Sequence, residues 1–393
     1  MANRSNSIFG QLLQIFSRRE FFENVRETKA EQGAKGFSCW DQFVAMMFCQ
    51  LGQAQSLREI CGGLASCFGK AKHLGIKQAP KRSTLSYANE HRPWQLYERI
   101  FYQFLGKCQG LNSSKRKFRF KNKLLSLDAT TIELCASLFD WAKFKQTKGA
   151  VKLHLLLDHN GYLPEFAHIT EGNIHEVKVA WTMDLPRGSI VAIDKGYTDY
   201  SLFWKWTQNG ITFVTRQKDN ALYRVTEERP IPQNRNILSD RIIMFEGYES
   251  PRKYPGPLRR IELWDDENQK VLVLLTNHMS FGATTISAIY KERWQIESFF
   301  KTIKQNLKIK TFVGTSANAV KIQIWTALIA ILLLKYLKFR SCFDWSLSNL
   351  VAMLRYNLLM YRDLWAWIDH PYEPPPQITL QEQLSLNWTA LKR

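Results

Sequence analysis

Three acidic residues have the types and settings from which phosphoryl-transfer chemistry is built. Asp128 follows the apolar run KLLSL, Asp194 follows SIVAI, and Glu297 lies in YKERWQIESFFKTIKQNLK. An aspartate that ends a buried strand has no packing reason to be there, and functional groups collect at the carboxyl ends of parallel strands. The plainer reading of either one is an Asp capping a turn. Around Glu297, at ~100° per residue, Tyr290, Arg293, Glu297, Lys301, Lys304 and Lys308 fall within less than about a quarter of a helix circumference. Ile296, Phe299, Ile303 and Leu307 fall on the opposite side. Taken alone, this stripe reads as exposed ion pairs of Glu297 with Arg293 and Lys301, worth a few tenths of a kcal/mol each. Taken together, two strand-end aspartates and one helical glutamate make an all-oxygen cage for hard divalent cations, Mg2+ or equally Mn2+. Two such ions ~3.5–4 Å apart would serve both the attacking and the leaving oxygen of a phosphodiester. The cationic stripe then has a use, holding nucleic-acid phosphates beside the metals.

The charge distribution fits that substrate. The 393 residues carry 54 Lys+Arg against 35 Asp+Glu, a net charge of +19. Residues 1–123 hold 21 Lys+Arg and 8 Asp+Glu, so +13 of the excess sits in the first third. A basic segment joined to a more balanced one points to a polyanionic partner. The seven cysteines include no C-x-x-C pair and no zinc spacing; they read as reduced core thiols of a cytoplasmic protein. No secretory signal is expected from the N-terminus. The apolar run from Ile322 to Leu334 is shorter than the ~20 residues of a membrane span and reads as a buried core helix.

The elements that must position the acids can be placed coarsely. The first ~110 residues show three-to-four apolar spacing and are expected to be helical. Within them, Ser83 is expected to cap a short helix running to Arg92, with Lys81, Arg82 and Arg92 bracketing it like a groove-reading helix; an ordinary solvated helix on a bundle is the plainer reading. The basic, aromatic run KRKFRFKNK, from Lys115 to Lys123, marks a boundary. Strands follow: one through Asp128, a hairpin over VKLHLLLDHNGYLPEFAHIT turning at Asn160-Gly161, and one over Ile190 to Ile193. Residues 216–284 alternate polar and apolar, as a β-rich insertion. The remainder is helical, with one helix expected from Thr285 to Leu307, and a peripheral tail after the PYEPPP stretch. His154, His159, His168 and His175 lie close in sequence but lack metal-ligand spacing, and read as structural or surface groups.

Tyr290-x-x-Arg293-x-x-x-Glu297-x-x-x-x-x-x-Lys304 matches the Tyr-Arg-Glu-Lys signature of the insertion-sequence-four family of DDE transposases. The text around it, together with SLDATTIEL and VAIDKGYTDYSLF, also resembles that family, over about residues 124–340. The resemblance implies an α/β fold: a ribonuclease-H-like catalytic core with a β-rich insertion, preceded by an all-α N-terminal domain. Divisions at 1–115, 116–215, 216–284 and 285–393 follow, with the core parts 116–215 and 285–393 flanking the insertion at 216–284. It implies that Asp128, Asp194 and Glu297 are the metal ligands, that Tyr290, Arg293 and Lys304 contact phosphates near the cut end, and that Trp264 can stack on a flipped base, although the plainer reading of Trp264 is a ring of the insertion's own small core. It further implies action on terminal inverted repeats and target DNA by a homodimer. The competing readings are a ribonuclease-H-like nuclease that cuts without joining and a transposase-derived DNA-binding protein without catalysis. Three carboxylates and four signature positions intact argue against decay.

Overall fold

The computed structural model describes residues 6–67, 70–111, 117–135, 137–145, 148–233 and 235–373. Lys115, Arg116 and the tail beyond residue 373 lie outside them. Six helices come first: α1 (Ile8–Gln14), α2 (Arg18–Glu27), α3 (Cys39–Leu51), α4 (Leu57–Ala65), α5 (Arg82–His91) and α6 (Gln95–Leu111). The first four each open on a serine, Ser7, Ser17, Ser38 and Ser56, whose side chain accepts a backbone N–H of the first turn. The fifth does not: α5 begins one residue before Ser83, and Lys81 precedes it with no side-chain cap. Arg92 is also not a surface cation. It is buried, and its guanidinium donates to the Ser38 carbonyl (2.8 Å) and to Gln42 (3.3 Å).

The second part alternates. It contains β1 (Leu124–Leu134), β2 (Lys143–Lys145), β3 (Lys148–Asp158), β4 (Leu163–Glu171), α7 (Glu176–Thr182), β5 (Ile190–Ile193), α8 (Tyr200–Gln208), β6 (Thr212–Arg216), β7 (Tyr223–Glu228), β8 (Ile237–Phe245), α9 (Ser250–Lys253), β9 (Leu258–Asp265) and β10 (Lys270–Thr276). Five helices follow among the described residues: α10 (Ala283–Glu292), α11 (Trp294–Asn306), α12 (Ala317–Arg340), α13 (Leu347–Asn357) and α14 (Leu364–Asp369). All the strands join one sheet in the order β2-β3-β1-β5-β6-β10-β9-β8-β7, with β4 pairing β3. The fold is therefore mixed α/β around a large sheet. The β-rich segment after residue 216 extends that sheet, because β10 pairs antiparallel with β6.

Only β1, β5 and β6 run parallel as neighbours. On β1 the alternation splits side chains between faces. Leu125 and Leu127 join the core beneath α7 and α8, whereas Leu124 joins the core that holds Tyr290 and Ile286 of α10. A third core unites α1–α6 with α11–α14. Its centre is α12, apolar on every side and so buried on every side. It is long and apolar enough to cross a membrane, but most of it is enclosed by protein, as expected for the run from Ile322 to Leu334. Cys39, Cys49 and Cys108 are buried core thiols, whereas Cys135 and Cys342 are exposed, contrary to expectation.

His154, fully buried on β3, is bonded through Nε2 to Thr170 Oγ1 (2.9 Å), and its other nitrogen has no partner. Burial, then the nearby His168 and Lys152, lowers its pKa from 6.5 to about 4. The proton therefore binds the unfolded chain more tightly. Stability is intact above pH ~6.5 and falls as pH drops towards ~4, by about 3 kcal/mol from this group. Denaturant unfolding of His154→Gln should show a shallower loss over pH 6.5–4 than wild type; parallel curves would contradict the assignment.

Candidate active site

The parallel register builds the site. Leu124 pairs with Ile190 and Leu127 with Ile193, an offset of 66 residues, so the next level places Asp128 beside Asp194. The β5–β6 register pairs Ile190 with Thr212 and Ala192 with Val214, which brings Arg216 to the same level on β6. Adjacent strands lie ~4.8 Å apart. One row across three strands thus reads Asp-Asp-Arg. Strand β1 does not end at Asp128, as the sequence led us to expect. Its parallel pairing ends there, while the antiparallel pairing with β3 continues to Leu134.

Glu297 reaches this row from α11, which packs on β1. The single helix expected from Thr285 to Leu307 is broken at Arg293. Hydrogen bonding tightens to i→i−3 there, with Arg293 N donating to Tyr290 O and Ile296 N to Arg293 O, both at 3.1 Å. The break changes which side chains share a face. Tyr290 and Arg293 are buried, Lys301 is exposed, Glu297 and Lys304 are half-buried, and Lys308 falls beyond the end of α11. The backbone N–H of Lys308 donates to Gln50 Oε1 (2.8 Å), clamping that loop to α3.

Asp128, Asp194 and Glu297 line one cavity of about 330 Å3 with Arg216, Tyr290, Arg293, Trp294 and Lys270. Asp128 and Glu297 also border a second cavity, of about 370 Å3, lined by Lys301, Lys304 and Lys310. Sequence reasoning named Lys301 and Lys304 but missed Lys310, Arg216, Lys270 and Trp294. Arg216 carries the same signal as the aspartates, a charged residue ending the apolar strand TFVTR. Trp264 is half-buried on β9, with its backbone N–H donating to Asn236 O (2.8 Å); the cavity is lined instead by its neighbour Asp265. Lys81 and Arg82 are exposed at the start of α5.

The carboxylates are held by guanidiniums. Arg293 Nη1 lies 2.8 Å from Glu297 Oε1 and 3.8 Å from Asp128 Oδ2, and Arg216 Nη2 donates to Asp194 Oδ1 at 2.8 Å. Asp194 also caps a short turn, accepting from Gly196 N (3.3 Å), so the capping reading holds for its position. Burial pushes Asp128 up from 3.8 to about 6, against the pull of the Ala129 N–H and Arg293 and with the push of Glu297 and Asp194. Burial would also raise Asp194, but the Arg216 hydrogen bond, the Gly196 N–H and the charges of Arg216 and Arg293 hold it below its usual value.

The donor set suits a hard divalent cation, being all carboxylate oxygen in a cavity with room for waters. Among the described residues no three acidic, histidine or cysteine side chains already converge on one point. The reason is visible: each acid is turned towards an arginine. The Nε atoms of Arg216 and Arg293 are buried and have no hydrogen-bond partner.

The Transposase DDE domain family matches residues 119–333, more than half of the chain. The chain belongs to the DDE transposase family. Residues 4–77 match a second family, described as a domain of unknown function (DUF4372). "Putative transposase y4zB" of Sinorhizobium fredii (strain NBRC 101917 / NGR234) is 31% identical over 65% of this chain and 71% of its own length. "Probable transposase for insertion sequence element IS5377" of Geobacillus stearothermophilus is 27% identical over 65% of this chain and 67% of its own. A solved piggyBac transposase synaptic complex with hairpin DNA is similar at 11% identity and a TM-score of 0.42, covering 96% of this chain and 84% of that one. That likeness is too weak to bear on mechanism. A DDE transposase is an enzyme that binds DNA and depends on divalent metal.

Among the described residues, Arg293 is the one buried cation contacting two of the three acids. Removing it leaves like charges facing each other, a cost of about 1–3 kcal/mol after allowance for their partial exposure. Arg293→Met should therefore melt lower than wild type in EDTA, and Mn2+ should raise its melting temperature by more than it raises that of wild type. Equal Mn2+ shifts would mean that Arg293 does not neutralise the acids.

Proposed function

We propose that this transposase cuts DNA at the ends of an insertion sequence and joins the freed 3′ ends to target DNA, using Asp128, Asp194 and Glu297 as the ligands of two Mg2+ ions. The observation that carries the reading is the register that sets Asp128 beside Asp194, with Glu297 facing the same cavity. The core around them is then ribonuclease-H-like, and the strands after residue 216 are its insertion. Once bound, the ions supply activation of the attacking oxygen and stabilisation of the leaving oxygen.

The chain's own residues do the rest. Arg293 and Arg216 line the cavity beside the acids, and their guanidiniums suit phosphate oxygens, a contact arginine makes in bidentate fashion. Tyr290, Lys301 and Lys304 hold the backbone on either side of the cut, and Lys308 lies further along the same path. Lys81 and Arg82 contribute to end recognition by the basic helical segment. The enzyme acts in the cytoplasm as a homodimer on paired terminal repeats. Trp294, 53% exposed on the cavity itself, offers a face for a DNA base, and the resemblance points to Trp264 for the same task.

Labelled DNA bearing the element's terminal repeat should be nicked at the repeat boundary in Mg2+ and not in EDTA. Asp194→Asn and Glu297→Gln should abolish nicking while retaining binding, and a pre-nicked end should join target DNA. Undiminished cleavage by either variant would overturn the site assignment; cleavage without joining would favour a nuclease.

Stacking is worth ~1–3 kcal/mol per base. Trp294→Ala should accordingly weaken end-DNA binding about 5- to 150-fold, by more than Trp264→Ala does. The reverse order would place the stacking ring in the β-rich segment.

A further inference from the structure

Behind the carboxylates lies a polar bridge that the reaction itself does not use. Ser126 is two residues before Asp128 on β1, hence on the same face of the strand. It is fully buried, and its Oγ lies 2.7 Å from His159 Nε2. The other nitrogen of that ring, Nδ1, lies 3.7 Å from Glu292 Oε2. Glu292 is the last residue of α10, directly before the break at Arg293, and it is 4% exposed. Its carboxylate also takes Lys117 on one oxygen and the Tyr162 hydroxyl (3.4 Å) on the other.

His159 and Tyr162 flank the β3–β4 turn, where Gly161 and Tyr162 take positive φ of 77° and 54°. The turn is fixed at two further points. His159 N donates to Leu124 O (3.0 Å), and the buried Lys335 of α12 donates to Gly161 O (3.0 Å). A rigid turn therefore holds one imidazole between the strand that carries Asp128 and the helix break that carries Arg293, with Glu297 one turn beyond. Burial lowers the His159 pKa to about 4, against the pull of Glu292, so the ring is neutral; it bonds Ser126 and lies against Glu292 without a hydrogen bond from Nδ1.

A buried polar group is costly unless it is bonded, and here the bonded turn joins the two elements whose relative placement sets the distance between Asp128 and Glu297: His159 holds Ser126 of β1, and Tyr162 holds Glu292 of α10 with the His159 ring packed against it. We infer that His159 and Glu292 are positioning residues, which fix the α10–α11 break against β1 and so set the geometry in which the carboxylates take up a divalent metal. The inference rests on the reading of Asp128 and Glu297 as metal ligands. Residues that orient metal ligands from behind commonly change metal affinity or turnover 10- to 100-fold when replaced.

The test is a Mn2+ titration of the full chain, with bound and free Mn2+ distinguished by electron paramagnetic resonance, alongside end-DNA binding in EDTA and turnover at saturating Mn2+. Glutamine at 159 can still reach Ser126 but not Glu292, and asparagine does the reverse. His159→Gln, His159→Asn and Glu292→Ala should each weaken Mn2+ binding about ten- to a hundredfold and lower turnover, with end-DNA binding within about twofold of wild type. Glu292→Gln, which keeps an acceptor for Tyr162 and His159, should lose less. Ser126→Ala, a smaller cut in the same bridge, should shift Mn2+ binding the same way and carries the test if a His159 variant does not fold. Wild-type Mn2+ affinity in the folded variants, or losses that follow melting temperature with DNA binding falling in parallel, would overturn the inference. If Glu297→Gln leaves Mn2+ binding as in wild type, the metal-ligand reading itself fails and this inference falls with it.

Discussion

The parallel register of β1, β5 and β6 is the constraint on which the site depends. A one-residue slip between β1 and β5 would turn one aspartate to the opposite face of the sheet. The register is held because both faces are buried. Leu125, Leu127, Val191 and Ile193 pack beneath α7 and α8, and Leu124, Ile190 and Ala192 pack beneath α10. Burial of the small β5 strand on both sides thus fixes the positions of Asp128, Asp194 and Arg216 together. Helix α11 then has only to lie on β1 for Glu297 to complete the set.

Electrostatics complicates that arrangement in a useful way. Three acids around one cavity would repel one another, and burial already raises Asp128 to about 6. Arg293 and Arg216 neutralise them from the side, each engaging one or two acids and leaving its Nε without a partner.

Much of this was legible in the sequence, for local reasons. Asp128 and Asp194 stand out because each follows an apolar run, and Glu297 stands out through the fixed spacing of Tyr290, Arg293 and Lys304. The hairpin with its Asn160-Gly161 turn and the apolar α12 were also readable, since both depend on short-range pattern. The rest depends on contacts distant in sequence. The break at Arg293 has no proline or glycine to announce it; it occurs where two successive charged residues, Glu292 and Arg293, are both buried with partners of their own. Tyr290 consequently packs into the core instead of sharing an open stripe with Lys301. The pairing of β10 with β6, which continues the sheet through the β-rich segment, joins residues some 60 apart and left no local trace. Arg216 could have been found by the rule that found the aspartates, whereas the partnership of Ser126, His159 and Glu292 could not.

The most direct measurement of the central claim is to replace Mg2+ with Fe2+ in the protein bound to its end DNA and map where metal-generated hydroxyl radicals cut the polypeptide. The account predicts backbone cuts clustered at residues near 128, 194 and 293–297, suppressed by excess Mg2+. Cuts concentrated elsewhere, for instance along the histidine-bearing stretch from His154 to His175 with none near Asp194 and Glu297, would contradict it.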